Sequence, residues 1–177
     1  MPGPALESHA ESFQPVIGQS VTLRALRPDD VDIEFAFVTG LSEATRANRL
    51  LGGAIRITDE YIRGLTRIDW SREAALAAVV MLEGAEVLIG VARYVADAEG
   101  RACEFALVIA DAWQGRGIGA RLLAKLVALA RARGYATMYG DILATNVGML
   151  HLARKLGFRI SPLPEDRTLA RASLALA

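Results

Sequence analysis

The sequence predicts a mixed α/β fold, and three observations support this prediction. Apolar runs of strand length recur between residues 74 and 109, with turn-forming residues between them. A glycine-rich loop over residues 114–119 then opens a long stretch with helical periodicity. A short strand, another helix and room for one or two closing strands follow. The predicted order is antiparallel strands, a βαβα unit and a closing strand or hairpin, and a right-handed crossover makes the central pair of strands parallel.

The N-terminal residues 1–20 combine prolines, glycines and polar side chains without helical or strand periodicity. We expect them to form a flexible tail or a strap over the surface. The remaining residues, 21–177, have a suitable length for a single domain with a substantial core. That domain is predicted to begin with a strand, because residues 21–26 alternate between polar and apolar side chains.

Three short helices are predicted next from their capping residues. The sequence Pro28-Asp-Asp supplies negative charge at the start of a helix that reaches Val38 and ends by Gly40. Ser42 and Thr58 each precede another stretch with helical character, the first to about residue 50 and the second to about residue 70. These caps place all three helices before the first long apolar run.

Two apolar runs, residues 74–82 and 87–95, flank a Glu-Gly-Ala-Glu turn and so predict a β-hairpin. A third antiparallel strand, residues 101–109, leads into the glycine-rich loop. The helix after the loop carries apolar residues at helical spacing and ends at Gly134. The later elements are, in order, a strand over residues 137–142, a helix capped by Asn146 and a closing strand over residues 169–176.

Composition narrows the classes of function. Lys and Arg total 20 and Asp and Glu total 20, so the chain lacks the excess positive charge that marks nucleic-acid binding. The chain has a single cysteine, which excludes an internal disulfide. It has only two histidines, so a metal site built from Cys and His side chains is unfavourable. The sequence has no apolar run long enough to cross a membrane. We therefore expect a cytoplasmic protein with no metal and no nucleic-acid or membrane partner.

The glycine-rich loop predicts an anion-binding site. Its glycines let the backbone approach a ligand, and the helix that follows supplies unpaired N–H groups and the positive end of its dipole. A phosphate-binding loop of the kinase type is excluded, because Gly119 is followed by Ala120 and Arg121 rather than by Lys-Ser/Thr. The dinucleotide motif G-x-G-x-x-G/A is met formally but disfavoured, since it should follow its strand directly and residues 111–114 intervene here.

Two motifs resemble those of a known family. Residues 114–119, Gln-Gly-Arg-Gly-Ile-Gly, resemble the Q/R-x-x-G-x-G/A signature of the GNAT superfamily of acyl-CoA-dependent N-acyltransferases. Residues 146–158, which begin with Asn and end in Leu-Gly-Phe, resemble a later helix of that family. The segments most similar to the acetyltransferase domain of bacterial Pat-type protein lysine acetyltransferases are residues 23–30, 41–46, 103–109 and 149–158. The resemblance implies a GNAT-like fold whose first helices flank an acceptor cleft.

The resemblance also implies that the bound anion is the pyrophosphate of acyl-CoA, with acetyl-CoA as the cosubstrate. The pantetheine arm is implied to lie along the strand before the loop and to meet Asn146, for which a simple helix cap is the other interpretation. Arg116 can add a charge contact beside the pyrophosphate. The implied donor-binding residues are Leu107, Val108, Ile109, Gln114, Gly115, Arg116, Gly117, Ile118, Gly119, Ala120 and Asn146.

Acyl transfer to an amine needs a proton acceptor, because a protonated amine cannot attack a carbonyl. Glu104 is the candidate general base, since it lies in the strand before the loop and the Pat-type resemblance implies a base there. The alternative is a glutamate on a solvated strand face. Cys103 points to the opposite face by strand alternation, so we expect it in the core rather than as a nucleophile.

Two further parts of the mechanism rest on resemblance alone. A backbone N–H near Val108 or Ile109, freed by a splay or bulge of the strand, is implied to bind the oxyanion. Many family members carry a Tyr in the Asn-led helix that protonates the leaving thiolate, whereas Ala153 stands at that position here. The Pat-type group resembles this chain in lacking the tyrosine, so its absence is compatible with activity.

The leading hypothesis is an N-acetyltransferase that moves acetyl from acetyl-CoA to a primary amine by direct attack, with protein lysine as the acceptor. A small-molecule amine acetyltransferase is the alternative among enzymes. A non-catalytic acyl-CoA-binding sensor is the alternative outside them, because it would keep the glycine-rich loop. The sequence leaves open the acceptor, the acyl chain length and whether the protein forms a homodimer.

Overall fold

The computed structural model describes residues 10–16 and 18–177. The strands are β1 (Glu11–Val16), β2 (Gln19–Ala25), β3 (Glu73–Leu82), β4 (Ala85–Ala96), β5 (Ala102–Ile109), β6 (Thr137–Leu143), β7 (Arg159–Leu163) and β8 (Asp166–Ala175). The α-helices are α1 (Val31–Gly40), α2 (Glu43–Arg49), α3 (Asp59–Thr66), α4 (Ile118–Ala132) and α5 (Val147–Lys155). A short 3-10 turn, Asp111–Trp113, follows β5.

These strands form one mixed sheet in the order β1-β2-β3-β4-β5-β6-β8-β7. Neighbouring strands are antiparallel except for β5 and β6, which are parallel. Helix α4 makes the crossover between these two strands, as a parallel connection requires. The predicted mixed α/β order, with a βαβα unit after the antiparallel strands and a closing hairpin, is confirmed.

The parallel pair β5 and β6 separates after a short stretch of pairing. Within the described residues, the pairing ends at Glu104 and Tyr139, although both strands continue beyond these positions. Gly140 directly follows the last paired residue of β6. A Cβ at this position would be 2.8 Å from the Phe105 ring and 2.9 Å from the Phe105 carbonyl oxygen, so the close approach of the two strands requires a glycine here. Beyond this point the strands diverge and leave a gap between their second halves.

Helices cover both faces of the sheet. The face under α4 and α5 holds the larger core cluster, to which α4 contributes fully buried leucines such as Leu122 and Leu126. The face under α1 holds a second cluster that includes Phe37 and Leu41. Cys103 belongs to the first cluster, and burial raises the pKa of its thiol to about 12. The prediction that Cys103 lies in the core is confirmed, and a raised thiol pKa disfavours a nucleophilic role.

The helix caps form as the sequence predicts at two of the first three helices. Ser42 accepts a hydrogen bond from the Thr45 N–H, and Thr58 accepts one from the Tyr61 N–H. Helix α3 is shorter than predicted and ends at Thr66. Asp69 explains the difference, because its side chain accepts hydrogen bonds from the backbone N–H and hydroxyl of Ser71 and forms a turn that leads into β3.

The expectation of a tail over residues 1–20 does not hold for β1, which pairs antiparallel with β2 at the edge of the sheet. Phe13 packs against the core, and the Arg121 guanidinium lies 4.3 Å from its ring centroid. Glu11 forms a 2.8 Å ion pair with Arg121. These contacts come from distant parts of the chain, so local periodicity could not indicate them. Residues 1–9, also part of the expected tail, lie outside the described residues.

Candidate active site

A cavity of about 530 Å³ occupies the gap between β5 and β6, and we call it the gap cavity. The second half of β5, the glycine-rich loop and the first turns of α4 and α5 form much of its wall. All the predicted site residues line it except Arg116. Those that line it are Glu104, Leu107, Val108, Ile109, Gln114, Gly115, Gly117, Ile118, Gly119, Ala120 and Asn146.

Two glycines shape the loop. Gly115 and Gly117 have φ values of +73° and +80°, in the left-handed region that favours glycine. Gly117 directly precedes α4, and its carbonyl accepts the hydrogen bond from the Arg121 N–H at 3.2 Å. The N–H groups of the first helical turn therefore have no partner inside the helix and border the cavity. With the positive end of the helix dipole, they can bind an anion.

Gly119 has a different role, because it lets three elements approach one another. A Cβ at this position would lie 3.3 Å from Leu152 Cδ2 on α5 and 3.4 Å from Leu107 Cδ2 on β5. Contacts this short are tighter than most Cβ contacts, so a side chain here would push α4 away from its neighbours. The glycine therefore keeps the wall of the gap cavity closely packed.

A hydrogen-bond network fastens the loop to α2. The Gln114 side chain donates to the Ile109 carbonyl at 3.0 Å and to the Thr45 hydroxyl at 3.3 Å. The Asp111 carboxylate accepts from the Ser42 N–H at 3.0 Å, the Ser42 hydroxyl at 2.6 Å and the Thr45 hydroxyl at 2.7 Å. Gln114 was predicted beside the pyrophosphate, and the structure shows its side chain holding the end of β5 against α2.

Replacing Asp111 by Asn is expected to lower thermal stability in a pH-dependent way. Hydrogen bonds from Ser42 and then Thr45 lower the pKa of Asp111 to about 2. Because this value lies below the ordinary value of about 3.9, the carboxylate stabilises the folded protein at neutral pH. That contribution is lost as the pH falls through the folded-state pKa. Because Asp111 is exposed and solvent screens its interactions, we expect only about 1 kcal/mol, so D111N should melt roughly 2–4 °C below wild type at pH 7.

Thermal unfolding followed by circular dichroism at pH 7, 4 and 2.5 tests this expectation. The difference between D111N and wild type should shrink at each step toward acid. Asp29→Asn, at an exposed aspartate, is the control and should change little at any pH. A D111N difference of constant size across the series contradicts the assignment.

Arg116 and Asn146 also have clear partners. The Arg116 guanidinium lies 5.1 Å from the centroid of the Trp113 ring, and the side chain is exposed outside the cavity wall. The Asn146 side-chain oxygen accepts a hydrogen bond from the Met149 N–H at 3.2 Å and so caps α5. The interpretation of Asn146 as a cap is confirmed, and its contact with a pantetheine arm stays a prediction.

Glu104 occupies the last paired position of β5 before the gap. Its side chain is exposed and borders the gap cavity, and its carboxylate makes no hydrogen bond or ion pair with the described residues. Tyr139 is its neighbour on β6, and burial followed by the Glu104 charge raises the pKa of that phenol. Ala106 and Val108 follow Glu104 along the same face of β5. The carboxylate is therefore available to a bound molecule.

The backbone of β5 offers N–H groups to the gap. The Ala110 N–H donates to the Ile89 carbonyl of β4 at 2.8 Å. Backbone groups alternate between the two sides of a strand, so the N–H of Ile109 turns toward the gap and that of Val108 toward β4. Of the two residues considered for an oxyanion, the alternation favours Ile109. The splay of β5 and β6 creates the gap, whereas the pairing of β5 with β4 is regular from Cys103 to Ile109.

A second cavity, which we call the α1 cavity, has a volume of about 420 Å³. Helices α1, α2 and α3 and residues 50–57 form its walls above β4 and β5, and most of the lining is apolar. Arg49, Ala106 and Val108 line both cavities, so the two spaces meet beside β5. The first helices were expected to flank an acceptor cleft, but sequence reasoning missed the charged residues of this wall. Among these are Glu34 and Arg93.

Helix α5 contributes side chains to the wall of the gap cavity, but Ala153 is not among them. Ala153, where many relatives carry a tyrosine, is fully buried in the core and does not line the gap cavity. His151 and Lys155 of α5 do line it.

The described residues contain no cluster of three or more His, Cys, Asp or Glu side chains suited to a metal ion. No helix in the described part of the chain is both long and apolar enough to span a membrane.

The sequence matches the family model described as Acetyltransferase (GNAT) family over residues 46–158, more than half of the chain. This chain belongs to the GNAT acetyltransferase family. It is also 36% identical, over 159 residues, to Acetyltransferase PA5475 from Pseudomonas aeruginosa, a match that covers 90% of this chain and 86% of that protein. The family match spans both motifs on which the resemblance rested, the glycine-rich loop and the Asn-led helix.

Solved GNAT structures share this fold. The GNAT domain of S. lividans PAT superposes with a TM-score of 0.81 at 22% identity, over 94% of this chain and 96% of that one. A structure of yncA from Salmonella typhimurium with its cofactor acetyl-CoA gives a TM-score of 0.65 at 21% identity, over 89% of this chain and 94% of that one. The predicted GNAT-like fold is confirmed, and at these identities the likeness concerns the fold alone.

Proposed function

We propose that this GNAT protein transfers an acetyl group from acetyl-CoA to a primary amine by direct attack in a ternary complex. The meeting of the two cavities at Ala106 and Val108 carries this proposal. One cavity has an anion-binding loop suited to the donor, and the other has an apolar wall suited to an amine on a hydrocarbon body. An amine in the α1 cavity therefore has access to a thioester in the gap cavity, without a covalent enzyme intermediate.

In this proposal the gap cavity binds acetyl-CoA. The N–H groups at the start of α4 hold the pyrophosphate, and β5 lies along the pantetheine arm. The outward N–H of Ile109 donates to the thioester oxygen as negative charge develops on it. Membership of the GNAT family supports this donor, as does the acetyl-CoA in the yncA structure.

The chemistry needs one proton transfer at the amine. Glu104 accepts a proton from the ammonium group, directly or through a water, and the free amine attacks the thioester carbonyl. A C–N bond forms, the C–S bond breaks, and CoA leaves as a thiolate that is then protonated. The exposure of Glu104 to the cavity supports this role, and so does the absence of a hydrogen bond or ion pair between its carboxylate and the residues that the structure describes.

Protein lysine is the first candidate acceptor. The segments that resemble Pat-type protein lysine acetyltransferases, among them residues 103–109 and 149–158, support it. A small-molecule amine is a second candidate, and the α1 cavity favours it. Its volume of about 420 Å³ falls within the usual range of small-ligand sites and exceeds the needs of one lysine side chain.

Two parallel reactions test the proposal. The purified protein is incubated with acetyl-CoA and a cell extract, and acetylated sites are identified by mass spectrometry. In the second reaction, CoA release is followed with a thiol reagent across a panel of small amines. Enriched lysine sites in a few proteins support the first acceptor, and CoA release with small amines supports the second. Tight acetyl-CoA binding without product in either reaction indicates a sensor and contradicts the proposal.

A further inference from the structure

Glu34 of α1 is a buried carboxylate that forms no hydrogen bond with the described residues. The residue is 2% exposed, and its Oε2 atom is buried without a hydrogen bond in the described part of the chain. It also forms no ion pair with the residues that the structure describes. The side chain forms part of the wall of the α1 cavity. A polar group this buried usually has a hydrogen-bond partner. The lack of one among the described residues points to a ligand that would supply it.

Another buried charge in this chain is treated differently. Arg24 donates two hydrogen bonds to Asp30, at 2.7 and 2.8 Å, and another to Glu86 at 2.7 Å. Glu34 makes no hydrogen bond or ion pair of this kind with the described residues. The charges of Arg93 and Arg49 favour its ionised form, but burial outweighs them and raises its pKa. A buried carboxylate oxygen without a hydrogen bond lowers the stability of the fold. Glu34 is therefore a residue that folding alone would not favour.

The position of Glu34 on α1 strengthens this point. Phe37, Val38 and Leu41 follow it at i+3, i+4 and i+7, so the four residues share one helix stripe. The other three are apolar and pack in the cluster beneath α1. An apolar residue at position 34 would extend this stripe. The sequence instead places a carboxylate there, at a cavity wall.

The location also indicates which part of an acceptor Glu34 would meet. Helix α1 packs on β4. The two cavities meet at Ala106 and Val108 on the neighbouring strand β5, and adjacent strands of a sheet lie about 4.8 Å apart. The reacting nitrogen has to lie at that meeting point. Glu34 therefore faces a part of the acceptor beyond the reacting nitrogen. Nearby, Arg93 is held by its 2.9 Å hydrogen bond to the Leu65 carbonyl.

We propose that Glu34 is a specificity-determining residue whose carboxylate accepts a hydrogen bond from a second donor group of the acceptor amine. The acceptor class is a primary amine with an ammonium, hydroxyl or amide N–H group at the far end of an apolar spacer. Binding supplies the missing partner of Glu34, and an acceptor that ends in a methyl group leaves it unsatisfied. This inference rests on the proposed acetyl transfer.

Three acceptors of matched length test the inference: 1,6-diaminohexane, 6-aminohexan-1-ol and heptylamine, in which a methyl group replaces the second donor. The value of kcat/KM is measured for wild type, Glu34→Met and Asp32→Asn, the last being a control on the exposed side of α1. We expect wild type and D32N to prefer the two donor-bearing amines by about 10-fold or more. E34M should lose this preference and keep or increase its kcat/KM for heptylamine.

A stability measurement separates this role from a structural one. The raised pKa of Glu34 means that its contribution to stability falls as the pH rises through that pKa. E34M should therefore melt above wild type at pH 8, with a smaller difference at pH 5. If E34M is less stable at pH 8 and equally impaired with all three amines, Glu34 is structural and the inference is wrong.

The remaining outcomes are also distinct. Wild type that acetylates amines without preferring the donor-bearing ones overturns the inference and leaves the proposed acetyl transfer intact. If wild type releases no CoA with any of the amines or proteins tested, the proposed function itself is contradicted. An unchanged preference in E34M assigns the selectivity to other residues and overturns the role of Glu34.

Discussion

Replacing Glu104 by Gln is expected to lower kcat for amine acetylation by about 10²–10⁴-fold, while the Kd for acetyl-CoA stays unchanged. The amide has nearly the same shape as the carboxylate but cannot accept a proton from an ammonium group. Donor binding should be preserved, because the anion site is formed by backbone groups of the loop and α4, away from this side chain. Glu104 is also exposed, so its loss should change stability by no more than about 0.5 kcal/mol.

Steady-state kinetics and calorimetric binding of acetyl-CoA measure the two quantities separately. Glu99→Gln, at an exposed glutamate in the turn before β5, is the matched control and should resemble wild type in both assays. An E104Q protein with normal kcat shows that another group, or solvent, accepts the proton. Loss of acetyl-CoA binding in E104Q would instead assign Glu104 to the donor site.

The second large effect is expected from Gly117→Val, which should weaken acetyl-CoA binding by at least about 10-fold. A valine at φ +80° is strained by roughly 1–2 kcal/mol or more, and its β-branched side chain makes this conformation still less favourable. The loop would relax to another conformation, and the N–H groups at the start of α4 would no longer point together toward the pyrophosphate. The Kd for acetyl-CoA, measured by calorimetry, reports this change.

Gly100→Val is the matched control for backbone strain. Gly100 also has a positive φ, +67°, with open space where a Cβ would lie, and it belongs to the turn between β4 and β5. Both variants should lose similar stability in thermal unfolding, and Gly117→Val alone should lose affinity for acetyl-CoA. Equal effects of the two variants on the Kd would indicate that global strain, rather than the loop, governs donor binding.

Features encoded by neighbouring residues were predictable from the sequence. The loop conformation depends on Gly115 and Gly117 themselves, and the facing of Cys103 away from Glu104 follows from strand periodicity. The caps formed by Ser42 and Thr58 likewise depend on residues within one turn. For the same reason, the glycine-rich loop and the helix that it opens were recognisable from the sequence.

Features that depend on distant contacts were not predictable. The partners of Gln114 include Thr45 on α2, which no local pattern places beside the loop. Strand β1 forms through pairing with β2 and contains a proline, which suits an edge strand but weakens any strand signal. The charged residues in the wall of the α1 cavity were missed, because Glu34 and Arg93 come together only through packing of α1 on β4. The one local signal for Glu34 is a carboxylate within an apolar helical stripe.

Helix α2 has a consequence for the order and strength of substrate binding. Arg49 belongs to the walls of both cavities, and Thr45 joins the same helix to Asp111 and Gln114 at the loop. In the proposed ternary complex, a displacement of α2 by one substrate would therefore reshape the cavity that binds the other. Thermodynamic linkage requires the resulting change in binding free energy to be the same in both directions. The helix thus provides a route for cooperativity between donor and acceptor within one polypeptide chain.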